Sequence, residues 1–342
     1  MLEYLVSVLT LGAATAVIVL GLNVRWGLSG QLDLGFYLMV AVGAYVYGVA
    51  TLGPSNGQGQ VTYILGLRLP FLVAILIAGA ASGLLSLVIG SIALRRVRGE
   101  RYAIVTVAAT IIGYSFISQY SPLFDGYNGI YGVPRPFAGV LNLSAQGYSN
   151  FYFVLEVCVL VIVFVLLEMV RRSPFGRAVK AVREDEVAAA AFGKSVYGLR
   201  LKAYVLGGVV GGIGGCLLMG YISAFNPASW SAIETFLLYG ALIVGGTGNN
   251  AGAVLGALIV LIGIPQLAQA IPVVGNDANA LPAIENMVIG LLIIGVLRFR
   301  PIGILPERKT MSGQLPRWML HGSKKEGVTA ERSMVSSSES TT

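Results

Sequence analysis

The sequence predicts an all-α protein that is embedded in a membrane and crosses it many times. Of its 342 residues, 56% are hydrophobic and only 11% are charged, whereas a typical soluble domain is about 25% charged. The apolar residues form long uninterrupted runs, and a helix of about 20 such residues crosses the hydrocarbon core of a bilayer. The runs do not alternate between apolar and polar residues as the strands of a membrane barrel do, so we interpret each run as a helix.

Nine runs have the length of a membrane span, and six of them contain no charged residue. The nine are residues 4–24, 34–52, 69–94, 102–123, 151–170, 203–225, 230–246, 251–271 and 281–297. The first is interpreted as a permanent span and not as a signal peptide, because Glu3 precedes it where a signal peptide has basic residues. The string GGTGNN at residues 245–250 is typical of a turn. The uncharged region that it interrupts forms either two full spans or a span with a re-entrant segment.

The basic residues indicate how the chain is oriented. With nine spans, all lysines and arginines except Arg68 and Arg135 fall on the same side of the membrane. Loops rich in lysine and arginine remain in the cytoplasm, so we predict an external N-terminus and a cytoplasmic C-terminus. The formal net charge of +7 is therefore explained by the orientation of the chain in the lipid bilayer, and it does not indicate a nucleic-acid partner.

We predict one transmembrane domain over residues 1–305 and a cytoplasmic tail over residues 306–342. The tail lacks apolar periodicity and ends in serines and threonines, a composition typical of disorder. The two cysteines, Cys158 and Cys216, lie inside predicted spans and form no CxxC pair, and the only histidine, His321, lies in the tail. We therefore predict no metal site, no catalytic residue and no enzyme activity in this chain.

Residues 171–202, which we call the insert, interrupt the apolar sequence with a dense group of charges. On a helical wheel, one narrow arc collects Asp185 and four apolar residues of the insert. The four are Ala178, Val182, Ala189 and Phe192. Pro174 is typical of a helix start and Gly193 of a helix end, so we predict one amphipathic helix of about four turns.

Two interpretations of this helix fit its spacing. In the first it lies on the membrane surface and its cations bind anionic headgroups. In the second it docks on a cytoplasmic protein. The consecutive acids Glu184, Asp185 and Glu186 favour docking, because mixed charges fix the register of a helix in a protein groove and acids gain nothing from anionic lipid.

The insert also carries a resemblance to a known family. The stretch GRAVKAVREDEVAAAAFGKSVYGLRLKAYVLGG, residues 176–208, resembles the cytoplasmic coupling segment of ABC importer permeases, and in particular the longer, M-type permease subunit of branched-chain amino acid importers. Urea and amide importer permeases are close relatives. Further stretches resemble the same family in the same order along residues 20–305. They are GLN at 21–23, RGERYAIVT at 98–106, GYNGIYGVPRP at 126–136, the block 226–257 and FRPIG at 299–303.

Two stretches depart from the family pattern. The family commonly has Ser-Leu-Gly-His where this chain has Asp33-Leu34-Gly35-Phe36, so the histidine is replaced. The family usually also has an acidic residue and an arginine in the fourth span, and residues 111–119 contain neither. These departures leave urea or a short amide open as an alternative cargo.

The resemblance implies a permease subunit that imports branched-chain amino acids across the inner, plasma membrane. Its implied partners are a second permease subunit in a heterodimer, two ATPase subunits that use ATP and Mg, and an external solute-binding protein. The residues implied to couple the chain to the ATPase are Arg177, Arg183, Glu184, Asp185, Glu186, Ala189 and Gly193. No cofactor is expected on this chain, because it has no complete GxxxxGK[ST] phosphate-binding loop.

An ion-coupled secondary transporter is the alternative from another class. Such transporters often carry charged relay residues in the middle of their spans, whereas the acids here lie near predicted helix ends. Asn23 and Glu234 are our candidates for a substrate path.

Two further groups of residues suggest contacts. The external loop with Tyr127, Asn128 and Gly129 is a candidate docking site for the binding protein, or else a lid over the helix ends. The other group is a set of glycines spaced by four, which lets helices approach closely in lipid. These are Gly207, Gly211 and Gly215. They either pack helices within the chain or form a sliding interface with the second permease subunit.

Overall fold

The computed structural model describes eight ranges of the chain, and all structural statements below refer to them. They are residues 2–54, 63, 65–97, 101–137, 143–230, 232–269, 280–300 and 302–307. The predicted tail therefore lies outside the described residues from residue 308 onward, and its predicted disorder stays a prediction.

The first half of the chain forms long apolar helices. Helix α1 runs directly into a π-helical turn, and a short helix and a 3₁₀ turn follow α4. The elements are α1 (Leu2–Asn23), the π turn (Val24–Leu28), α2 (Tyr37–Thr51), α3 (Phe71–Arg96), α4 (Arg101–Gln119), α5 (Ser121–Phe124) and a 3₁₀ turn (Gly126–Asn128).

The second half contains the insert between two long helices and ends in a series of shorter helices. Its elements are α6 (Ala145–Arg172), α7 (Pro174–Glu184), α8 (Glu186–Ala191), α9 (Val196–Ile222), a 3₁₀ turn (Pro227–Trp230), α10 (Ala232–Gly245), α11 (Asn250–Gly256), a π-helical stretch (Ala257–Gly263), α12 (Ile264–Gln269) and α13 (Ala280–Phe299). Two short strands, β1 (Ile130–Tyr131) and β2 (Ala224–Phe225), pair antiparallel with Ile130 opposite Phe225.

The helices confirm the predicted fold class, an all-α polytopic membrane protein. Six helices are long and apolar enough to cross a membrane, and three shorter apolar helices accompany them. The three are Tyr37–Thr51, Glu234–Gly245 and Met287–Val296. Each of the nine predicted runs thus contains an apolar helix. The nine complete crossings and the orientation stay predictions, because a 15-residue helix such as α2 is only about 22 Å long.

Helix α9 lies at the centre of the bundle and packs along α1, α2 and α3. Small residues permit this, as expected for helices that associate in lipid through close packing. A Cβ atom on Gly43 of α2 would lie 2.2 Å from the carbonyl oxygen of Gly212 in α9. Helix α6, in contrast, exposes apolar side chains such as Ile162 and Leu166, which places it at the lipid-facing side.

We expect Gly43→Ala to lower the melting temperature of the purified protein, because the added carbon forces α2 away from α9. Overpacking of this kind costs about 1–3 kcal/mol. Gly290→Ala in α13 is the matched control, since no described atom lies within 4 Å of a Cβ placed there. A thermal-shift measurement in detergent checks both variants, and equal shifts would contradict the close contact of α2 with α9.

Candidate functional site

The insert folds as two short helices, and the predicted single helix of four turns is wrong. At Asp185 the backbone is extended, with φ −148° and ψ 106°. The Asp185 carboxylate accepts hydrogen bonds from the amides of Val187 and Ala188, both at 2.9 Å. Asp185 therefore ends α7 and caps the N-terminus of α8, a role for which aspartate is favoured.

The break between α7 and α8 changes which side chains of the insert are buried. Of the residues in the apolar arc of the helical wheel, Val182 and Ala189 are buried, but Phe192 is 84% exposed. Val187 is 79% exposed, and the Glu184 side chain is 75% exposed. Phe192 does not share a face with Val182, because two helices joined by an extended residue do not share one axis. The insert consequently presents two apolar side chains and an acid to its surroundings.

The other predicted coupling residues differ in their environments. Arg177 is exposed and donates a hydrogen bond to the Arg172 carbonyl at 2.9 Å. Gly193 follows α8 with φ +71°, and no described atom lies within 4 Å of a Cβ placed there. Glu186 forms an ion pair with Arg200 at 3.0 Å, which ties α8 to the first turns of α9. Glu186 is therefore already partly engaged within the chain.

Arg183 is also engaged within the chain. One guanidinium nitrogen donates to the Gly27 carbonyl in the π turn that follows α1, and the other donates to Glu307 Oε2 at 2.8 Å. Lys180 pairs with the second oxygen of Glu307. Burial alone favours a higher pKa for Glu307, but the hydrogen bonds from Lys180 and Arg183 prevail and lower its pKa below the ordinary value. Glu307 was not among the predicted site residues, because it lies more than 120 positions after its partners in the sequence.

A fully buried ion pair lies next to these contacts, where α1 ends. Arg25 and Asp33 are each 0% exposed and their side chains pair directly. The guanidinium also donates to Ser86 Oγ at 2.7 Å and to the Tyr204 carbonyl at 2.9 Å, and it lies 3.7 Å from the centroid of the Tyr204 ring. The predicted cytoplasmic side of the chain includes Arg25. Its side chain lies inside the bundle, where Asp33 neutralises the charge, and the orientation of the chain stays a prediction.

The same ion pair accounts for one departure from the family pattern. Asp33 and Phe36 begin and end the stretch that replaces Ser-Leu-Gly-His. Asp33 supplies the carboxylate, and the Phe36 ring centroid lies 5.0 Å below the Arg25 guanidinium, a distance at which a cation and an aromatic face attract each other. The two replaced residues thus form one environment for Arg25.

The candidate path residues Asn23 and Glu234 lie apart. Asn23 is buried, donates to Asn250 Oδ1 at 3.0 Å and accepts from the Gly248 amide at 2.9 Å. Gly248 follows the last turn of α10, whereas Glu234 lies in its first turn. The 14 residues of α10 rise about 1.5 Å each, so the two side chains are roughly 20 Å apart. The structure does not combine them into one site, and each stays a separate prediction.

The predicted external loop lies at the opposite end of α9 from the insert. Tyr127 is 66% exposed, and Asn128 donates to Asp125 Oδ2 at 3.4 Å. Gly129 has φ +74°, and a Cβ placed there would meet the Phe225 carbonyl at 2.3 Å. Because β1 pairs with β2 just after α9, the 27 residues of α9 separate the loop from the insert by about 40 Å.

The three spaced glycines of α9 face other helices of the same chain. A Cβ on Gly207 would lie 2.6 Å from Arg25 Cγ, one on Gly211 would lie 2.8 Å from the Phe36 ring, and one on Gly215 would lie 2.0 Å from the α2 backbone. This face is filled by α1 and α2. A second subunit would therefore contact other surfaces of the chain.

The comparisons with known proteins agree with this architecture. Residues 4–297 match the family model described as branched-chain amino acid transport system, permease component. Over 321 residues the chain is 29% identical to the high-affinity branched-chain amino acid transport system permease protein LivM of Escherichia coli K12, an alignment that covers 88% of this chain and 70% of that protein. No solved structure matches the chain.

Two further relatives are of similar size. The probable branched-chain amino acid transport permease protein LivM of Methanocaldococcus jannaschii is 26% identical over 337 residues, covering 90% of this chain and 95% of that protein. The permease protein LivH of Salmonella typhimurium LT2 is 26% identical over 312 residues, covering 89% and 95%. Because the family model extends over most of the sequence, the chain belongs to the permease family of branched-chain amino acid transport systems.

Proposed function

We propose that this protein is the membrane-spanning permease subunit of an ABC importer for branched-chain amino acids in the inner membrane. Family membership and relatives named as branched-chain amino acid permeases support the transport role. The observation that carries the ATP-driven mechanism is the exposed surface of the insert. Val187 and Phe192 are 79% and 84% exposed on short helices that are themselves fixed to the bundle. Exposed aromatic and apolar side chains beside charges are typical of a protein-binding surface.

The proposed partners supply what the chain lacks. Two ATPase subunits would bind the insert and use ATP and Mg, since the sequence has no complete phosphate-binding loop. The stretch most similar to this motif is Gly193-Lys194-Ser195, but Ala188 stands where GxxxxGK[ST] requires its first glycine. The stretch also follows a helix, whereas a phosphate-binding loop follows a strand. LivM and LivH relatives are both named permeases, which supports a heterodimer. An external solute-binding protein would contact the loop around Tyr127.

Reconstitution tests the function directly. We expect liposomes that contain this chain, the second permease subunit and both ATPases to take up radiolabelled leucine when ATP and the binding protein are supplied. Uptake should stop with a non-hydrolysable ATP analogue, and the chain alone should give none. Uptake by the chain alone under an ion gradient would instead establish a secondary transporter. Selective uptake of urea or acetamide would change the proposed cargo.

The proposal also requires the insert to face the cytoplasm. In a variant without Cys158 and Cys216, we expect Glu184→Cys to react with a membrane-impermeant maleimide only after the membrane is permeabilised. Tyr127→Cys, at the other end of α9, is the matched control and should react in intact spheroplasts. Glu184 and Tyr127 are both exposed in the folded chain, so folding does not block either reaction. The reverse pattern of labelling would contradict an importer that is driven from the cytoplasm.

A further inference from the structure

Two glycine-containing stretches that the proposed function leaves unexplained pack against each other. They are the turn at residues 245–250 and the segment at residues 302–307, which follows α13. Backbone and side-chain hydrogen bonds join them. These run from the Ile304 amide to the Val244 carbonyl (2.9 Å), from the Leu305 amide to the Gly245 carbonyl (3.0 Å), and from the Asn249 side chain to the Leu305 and Pro306 carbonyls (3.4 and 3.3 Å).

The contact between these stretches requires glycine on both sides. Gly246 has φ +114°, and a Cβ placed there would lie 2.2 Å from the Leu305 carbonyl oxygen. Gly303 has φ +78°, and a Cβ placed there would lie 2.6 Å from the Gly246 α-carbon. Residues with a side chain rarely adopt positive φ, and here a side chain has no space either. The glycines therefore allow the backbones of the two stretches to pack in direct contact.

The result of this packing is the position of Glu307. Its carboxylate lies against Gly248 of the turn, where an added Cβ would be 2.7 Å from Oε2, and it pairs with both Lys180 and Arg183 of α7. The three charged side chains are only 17–23% exposed, and half-buried charged hydrogen bonds are short and directional. Glu307 thereby joins α7 to the turn between α10 and α11.

Arg183 extends the connection to a third element. The guanidinium that binds Glu307 also donates to the Gly27 carbonyl in the π turn after α1. Gly30 gives it room, because a Cβ on Gly30 would lie 2.7 Å from Arg183 Cγ. A displacement of α7 would therefore pull on the end of α1 and on the α10–α11 turn together, through Arg183 and Glu307.

We propose that Glu307 is a positioning residue that transmits movements of the insert to α1 and to the α10–α11 turn. This rests on the proposed function, in which an ATPase moves the insert. Besides the covalent chain, α7 contacts the bundle through the core residue Val179 and through Arg183 on the Gly27 carbonyl. The first residue of the insert, Arg171, reaches the α10–α11 turn indirectly, because its partner Glu168 accepts a hydrogen bond from Asn250. Energetic coupling between distant sites can be carried by a chain of packed and bonded groups, and Glu307 completes the one that runs from α7 to the α10–α11 turn.

The test measures leucine taken up per ATP hydrolysed in liposomes that contain the complete importer. We expect Glu307→Gln to retain ATPase binding and ATP hydrolysis, and to lower uptake per ATP by about fivefold or more, the lower end of the range for coupling between sites. Glu307→Asp, which keeps the charge, should recover part of the ratio. Arg172→Met is the control, since it removes an ion pair with Glu168 in which the arginine is 74% exposed, and it should leave the ratio unchanged.

A double-mutant cycle separates transmission from a general structural role. Lys180→Met and Glu307→Gln should each lower the ratio, and the double variant should have the same ratio as Glu307→Gln alone, because the loss of the Glu307 charge already removes the ion pair with Lys180. Additive losses, or unchanged uptake per ATP in Glu307→Gln, would overturn the proposal. If Glu307→Gln melts at a markedly lower temperature, Lys180→Met decides alone, and a wild-type ratio in that variant overturns it.

The same assay separates this proposal from the proposed function. If the wild-type chain binds no ATPase, or shows no ATP-dependent uptake, the proposed function itself fails and Glu307 loses its role with it. If the wild-type importer works and only the Glu307 and Lys180 variants are indistinguishable from it, the proposed function stands and the transmission through Glu307 is wrong.

Discussion

Replacing Phe192 with serine is expected to abolish ATP-driven uptake while leaving the chain folded in the membrane. Phe192 is 84% exposed at the end of α8, so its ring contributes little to the packing of the chain. In a bound ATPase the ring would be buried, and truncation of a buried aromatic anchor typically costs about 2 kcal/mol or more. That energy corresponds to about a 30-fold loss of affinity. Co-purification of the ATPase and ATP-dependent leucine uptake measure the effect.

A second exposed phenylalanine provides the control for this prediction. Phe299 at the end of α13 is 82% exposed, and it lies outside the insert. Phe299→Ser should retain both ATPase binding and uptake. Equal losses in the two variants, or normal ATPase binding by Phe192→Ser, would show that the exposed face of α8 is not the docking surface.

Replacing Asp33 with asparagine is expected to destabilise the protein more than any change in a surface ion pair. Arg25 and Asp33 are both 0% exposed, so the substitution leaves an uncompensated cation inside the bundle. Removing one partner of a buried pair costs about 3–5 kcal/mol. Little folded protein should be recovered from membranes, and the melting temperature in detergent should fall steeply.

Two controls show whether the isolated charge is the cause. Arg25→Met combined with Asp33→Leu removes both charges, and it should be much more stable than Asp33→Asn, because exchanging a buried pair for apolar residues is often neutral. Arg172→Met breaks a contact with Glu168 in which the arginine is 74% exposed, and such pairs contribute at most about 1 kcal/mol. If the double variant is as unstable as Asp33→Asn, the role of Arg25 extends beyond neutralising Asp33.

The membrane architecture could be predicted from the amino-acid sequence. Long apolar runs without alternation are compatible with little other than membrane helices, because lipid offers no hydrogen-bond partner to an exposed backbone. Each of the nine runs contains an apolar helix in the structure. The order and spacing of short motifs identified the family, and the family match over residues 4–297 confirms it. The insert could also be located, since its charge density differs from everything around it.

The pattern along the chain was less informative about the surface of the insert. The helical wheel assumed one continuous helix, and it placed Phe192 in the same apolar arc as Val182 and Ala189. Asp185 instead ends one helix and caps the next through hydrogen bonds to two amides. Aspartate fits a helix interior poorly and a cap well. The apolar periodicity continues across Asp185, however, so the sequence pattern does not show that one helix ends there and another begins. The exposed pair Val187 and Phe192 emerges only when the two helices are in place.

By itself the sequence determined a helical membrane protein with a charged segment between its apolar helices, because hydrophobicity and charge are properties of single residues and of their neighbours. The resemblance of its motifs to a known family indicated a permease. Only the tertiary structure decided which distant residues meet. Inside the bundle Asp33 neutralises Arg25 and Ser86 accepts a hydrogen bond from it, and Glu307 reaches Lys180 and Arg183. These pairings depend on how closely the helices approach, and a linear pattern of polar and apolar residues does not record that distance.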